Sequence, residues 1–175
     1  KDMETVKSEV ETGSIGIVLD ATVTFGKNEV YTDNSITVDG TIDAYEEAKV
    51  QTQSDADMRA VTYASGGGFY AGTYLDAQNK LVRNVLITLN KADIKANYKD
   101  VSIKALAGEN DSIFTSAVIS SGGVVALSGS KANSDVTNNA KVVIKNGSQI
   151  TDRFNNVYIY AYASEPNNKV VTSVS

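Results

Sequence analysis

A chain of 175 residues and 18.6 kDa has the length of one ordinary domain, long enough to bury a core without disulfides or metals. Hydrophobic residues at 42% and charged residues at 21% argue against wholesale disorder and against a long apolar membrane span, while the lack of any Cys or His excludes a thiol nucleophile, an imidazole base and a Cys/His zinc site. The formal charge of -5, from 21 acidic and 16 basic residues with no Lys/Arg cluster, speaks against nucleic acid or an anionic membrane as the main partner.

Taken in chain order, short runs with apolar residues at spacing two succeed one another, and the spacing of three and four that marks an amphipathic helix is missing. Lys1 stands at the head with no basic stretch and apolar segment behind it, so the chain reads as an excised piece of a larger protein, a single segment over 1–175. Ser14–Leu19 and Ser35–Val38 carry β-branched residues between polar ends and read as strands. Tyr45–Lys49 fits one helical turn, but Ala48, Val50 and Thr52 alternate with Glu47, Lys49 and Gln51, which favours strand.

Asp55, Asp57 and Arg59 share one face of such a strand and are the best enzymatic constellation in the chain. Glycosidases need carboxyls about 5 to 9.5 Å apart across a cleft, which i, i+2 spacing does not establish, so a solvated face is expected. Adjacent Glu46 and Glu47 point to opposite faces and pair even less well. The stretch Ser65 to Gly72, rich in Gly, looks flexible, and a loop excursion is expected around 65–80. It lacks the Lys and Ser/Thr of a phosphate-binding loop, and no helix pattern follows it.

Strands are then expected at Asn84–Leu89, Lys99–Ala105, Gly123–Leu127, Ala140–Lys145 and Asn156–Ala161. The pairs Asn138-Asn139, Asn155-Asn156 and Asn167-Asn168 suit corners, and the single proline, Pro166, suits a turn. Neither an EF-hand nor a calcium-roll nonapeptide is present, so no metal and no cofactor is expected. Tyr158, Tyr160 and Tyr162 alternate with Ile159, Ala161 and Ala163 and project from the face opposite the core. Such a row offers amphipathic area with few rotors to freeze and is the candidate binding site for a glycan or partner protein.

Valines at 85, 101, 124, 142 and 157 recur about every 18 residues, closer to the repeat of a stacked coil than to the 8–12 of a hairpin sandwich. Coils of roughly 20 residues would give eight or nine turns and a rod near 40 Å long. Within each coil, Val101, Ile103, Ala105 and Ala107, and again Val157, Ile159, Ala161 and Ala163, point inward. The alternative is an antiparallel β-sandwich, since alternation alone does not fix strand direction. Open strand edges at the ends of a rod lead one to expect end-to-end association.

The strings GGVVALSGSKANSDVTNNAKVVIKNGSQI and NNVYIYAYASE resemble the repeats of filamentous-haemagglutinin-type adhesins secreted by the two-partner pathway, most of all the fusobacterial leukotoxin-type filamentous adhesins. The likeness covers mainly residues 80–165. It implies an all-β, right-handed parallel β-helix within a very long exported protein, secreted or held at a bacterial surface, moved by an outer-membrane transporter and contacting a host cell-surface receptor or glycan. It implies no catalytic residues. The expectation is therefore a structural and adhesive segment that is not an enzyme; the alternative is a polysaccharide-binding or polysaccharide-degrading β-helix of the lyase or tailspike type.

Overall fold

The computed structural model describes residues 2–15, 19–165 and 168–174, with side chains for 9–11, 21–165 and 168–174. Its elements are β1 (Asp2–Ile15), β2 (Leu19–Ala44), β3 (Ala48–Ala96), β4 (Val101–Ala107), β5 (Ser112–Ile144), β6 (Gln149–Asp152), β7 (Val157–Ala163) and β8 (Asn168–Val174). The protein is all-β; among the described residues there is no helix, as the period-two alternation and the wealth of Val, Ile, Thr and Tyr require. Several strands run far beyond the short runs visible in the sequence, because polar residues between those runs keep the alternation going.

All eight strands share one sheet, and every pairing among the described residues is parallel. Leu19 stands beside Tyr70, Tyr70 beside Val125, and Val101 beside Val157. Paired positions lie 51 to 56 residues apart, as Asp33 and Asn84 or Val101 and Val157 do. The chain thus runs three times over one course and begins a fourth at β8. An antiparallel sandwich would pair neighbouring segments folded back on each other, which these strands do not do.

The length of a pass corrects the 20-residue coil. About three passes at the ~4.8 Å strand spacing make a stack roughly 15 Å high, not eight or nine turns and 40 Å. The valines every 18 residues are stretches of two passes, Val85 and Val101 on the second and Val124, Val142 and Val157 on the third: Val101 is in register with Val157, and Val85 with Ala140. Alternation says which residues face inward but carries no information on where the course returns to itself.

Turning requires unusual backbone at the same place in each pass: Gly40 (φ 109°), Lys91 (φ 52°) and Gly147 (φ 86°) lie in the left-handed region, and a β-bulge shifts the register between Asp39 and Gly40. A second corner falls between strands at 45–47, 97–100 and 153–156. Tyr45–Glu47 belongs to that corner and the strand resumes at Ala48. Residues 65–80 lie inside β3, where Ser65–Gly68 pair with Ser120–Gly123. Asn138 and Asn139 sit within β5 rather than at a corner, whereas Asn155 and Asn156 do turn the chain. The turn at Pro166-Asn167 and the centre of the Ser14–Leu19 run lie outside the described residues.

The core is the interior of the middle pass. Val85, Ile87, Leu89, Ile94, Val101, Ile103 and their small neighbours form its largest cluster, with Ile36, Val38 and Val142 packed against it from the passes on either side. Burying a side chain of this size contributes about 1.5–3 kcal/mol. Val101, Ile103, Ala105 and Ala107 are buried as the alternation predicts. Val157, Ile159, Ala161 and Ala163 are not: they continue the same columns but are exposed, because β7 has a hydrogen-bonded neighbour on the β4 side and none on the other among the described residues.

Candidate binding face

Each outward position repeats once per pass, so the outer face consists of columns of side chains three residues high. At the second corner the column is aromatic: Tyr45, Tyr98 and Phe154 stand over one another with ring centroids 4.8 and 6.3 Å apart. The Arg153 guanidinium lies 5.1 Å from the Phe154 ring. The rings are tilted by 50° and 36° to one another and each is more than half exposed, so the column braces the corner while leaving ring surface open to solvent. Beside it, Lys99 Nζ meets Glu46 Oε2 at 2.6 Å, and the Lys99 backbone N–H donates to the Glu46 carbonyl at 3.0 Å. Hydrogen bonding between the two holds the Glu46 carboxyl below and the Lys99 amine above their usual pKa ranges. Both remain charged near neutrality.

The strand after this corner carries the tyrosine row. Tyr158, Tyr160 and Tyr162 project from β7 on the face away from the core, in register with Ser102, Lys104 and Leu106, and beyond those with Lys49, Gln51 and Gln53. All three are exposed, at 46%, 42% and 49%. The Lys104 ammonium lies 5.0 Å from the Tyr160 ring centroid, and hydrogen bonding to Tyr160 holds its pKa above the usual lysine value. Tyr160 therefore comes with a fixed cation at its side. The row is a flat strip, with phenols about 6.6 Å apart along the strand, suited to lying against an extended ligand.

The same pairing of cation and ring recurs on other columns. Phe114 is flanked by Arg59 from the pass before and Lys169 from the pass after, 5.4 and 6.0 Å from its ring, and Lys80 lies 5.6 Å from Tyr31. These partners are one pass apart in sequence, so no local motif announces them. They become readable only once the register is known.

The acid-base candidate does not assemble. Asp55 is buried and holds a turn: its carboxylate accepts the Asn110 backbone N–H at 3.0 Å, the Asn110 side-chain amide at 3.1 Å and the Gln53 amide at 2.9 Å. Arg59 is committed to Phe114. Glu46 is paired with Lys99. A depression of about 460 Å³ lined by Asp33, Asn34, Ser35, Ile36 and Gln51–Gln53 contains one carboxylate, and Asp33 already accepts from Asn84 at 2.6 Å. Among the described residues no group of three His, Cys, Asp or Glu could hold a metal ion.

No protein-family model matches the chain, and neither the curated proteins nor the solved structures contain a significant match.

Proposed function

We propose that the chain is a right-handed parallel β-helical segment of a large secreted bacterial adhesin or leukotoxin of the filamentous-haemagglutinin type. In this reading it contacts host cells, or holds other parts of the protein away from the bacterial surface. The observation that supports it is the register: a chain that pairs in parallel with itself every 51 to 56 residues adds layers along one axis and makes a stiff body. The parent protein would need an outer-membrane transporter, in line with the resemblance. Tyr158, Tyr160 and Tyr162, with Lys104 beside them, are the strip that takes a receptor or glycan. The reading assigns no catalytic residue, and no cofactor is called for.

The test is binding of the purified chain to host leukocytes and to a glycan array, beside a Tyr158→Ala/Tyr160→Ala/Tyr162→Ala variant. The three side chains are exposed, so the variant keeps its fold, checked by circular dichroism. Saturable binding that the variant loses by tenfold or more supports an adhesive strip. Binding by neither protein leaves the stalk role alone, and turnover of a polyanionic glycan would overturn the reading in favour of a polysaccharide-acting enzyme.

A further inference from the structure

Asp76 is an outward residue that is buried all the same. Leu75 and Ala77 on either side of it belong to the core, so its carboxylate points away from the interior, yet only 8% of the residue is exposed. Its column runs Phe25, Asp76, Lys131 across the three passes. Oδ2 accepts the Gln78 side-chain amide at 2.8 Å, whereas Oδ1 is buried with no hydrogen-bond partner among the described residues. A buried carboxylate oxygen without a donor works against folding, and such an orphan calls for a donor from outside the chain.

The space beside it suits one. Asp76 and Gln78 from the second pass and Phe25, Gly26 and Lys27 from the first line a pocket of about 220 Å³. It lies between two passes and opens outward, so layers added at either end of the stack leave it open. Phe25 is 65% exposed and makes an edge contact with Tyr74, ring centroids 6.3 Å apart, which fixes the ring while leaving apolar surface free. Acceptor and donors stand side by side: Asp76 Oδ1 accepts, and the Gln78 amide and the Lys27 ammonium donate. Lys27 already meets Glu29 at 2.9 Å and keeps hydrogens to spare. Charge balances on this face, where Lys27, Lys80 and Lys131 stand among Glu29, Asp76 and Asp135 in three adjacent columns.

We propose that this pocket binds one ring of a neutral sugar. A hydroxyl both donates and accepts, so two neighbouring hydroxyls match a carboxylate oxygen set beside an ammonium and an amide, while the C–H face of the ring covers Phe25. A cation would be drawn to Asp76 but opposed by Lys27 and Lys131, and an anion would meet Asp76 itself. Past Tyr74 a second depression of about 460 Å³, floored by Gly72 and Gly129 and walled by Val23 and Leu127, continues along the strands and takes the next ring of a glycan. The site is separate from the tyrosine strip on β7 and does not rest on the adhesive reading.

Saturation-transfer NMR of the 175-residue chain with methyl α-mannoside, methyl β-galactoside, N-acetylglucosamine and maltotriose tests it, with butylammonium and N-acetylneuraminic acid as charged comparisons. Transfer to the ring C–H protons of at least one neutral sugar is expected, with the dissociation constant raised tenfold or more in Asp76→Asn and in Phe25→Ala. Asp76→Asn exchanges a buried charge for a neutral amide of the same shape, so its melting temperature should hold or rise while sugar binding falls. A lower melting temperature with sugar binding unchanged would make Asp76 a structural group and overturn the site. No transfer to any neutral sugar, or transfer to a charged probe alone, overturns it as well. Sugar binding that survives both changes but is lost in Tyr158→Ala/Tyr160→Ala/Tyr162→Ala belongs to the tyrosine strip, which separates failure of this pocket from failure of the adhesive reading.

Discussion

Arg83 is the largest fully buried side chain, and Asp111 meets its guanidinium with two bonds of 3.1 and 3.0 Å. Asn138 accepts a third from Nη1 at 3.2 Å and donates to the Ser164 carbonyl, while Asp111 also takes the Ala56 backbone N–H at 2.9 Å. The network ties the second pass to the third and to the start of the fourth. Gly108 makes room for it: at φ +74°, an added Cβ would lie 2.5 Å from both Asn138 Nδ2 and Asp111 Oδ2. Removing one partner strands a buried charge, so Asp111→Ala is expected to cost about 3–5 kcal/mol in urea denaturation. Arg83→Met/Asp111→Ala should cost less than the sum of its single changes, because the second change removes the charge the first leaves unpaired. Equal and additive losses would show that the two residues are not coupled. Nothing in the sequence flags this pair, since the residues lie 28 positions apart and meet through a return of the chain that only the register reveals.

At the scale of the element, strand identity and facing were legible because both follow from alternation. Val101, Ile103, Ala105 and Ala107 face inward, and Tyr158, Tyr160 and Tyr162 face outward, as the period of two dictates. Pass length and strand continuity were not legible. The glycines around 65 and 122 look like a loop in sequence yet are one strand lying on another, Gly67 beside Gly122 and Gly68 beside Gly123. Their small size is needed at one position and not at its neighbour. A Cβ on Gly123 would stand 2.6 Å from the Gly68 carbonyl oxygen, whereas one on Gly122 meets nothing within 4 Å. Gly123→Ala should therefore lose about 1–3 kcal/mol through forced backbone movement, and Gly122→Ala should be neutral or gain about 0.4–1 kcal/mol from a less flexible unfolded chain. Thermal melts of the two single variants decide this; equal shifts would mean that the backbones do not approach so closely.

At the scale of the molecule, stability belongs to neighbouring passes, so the worth of a residue depends on its height in the stack more than on its identity. Ile103 and Ile159 show this, being the same residue type in one column, in register with each other and on the same inward face. Ile103 has a pass on either side and is fully buried; Ile159 stands at the open end, 40% exposed. Truncating Ile103 to Ala leaves a cavity that surrounding strands cannot fill and should cost about 2–5 kcal/mol. Truncating Ile159 to Ala should cost less than about 1 kcal/mol, as an exposed position does. Urea denaturation of the two single variants decides this; equal costs would mean that Ile159 is covered as fully as Ile103 and that height in the stack does not set the worth of a residue.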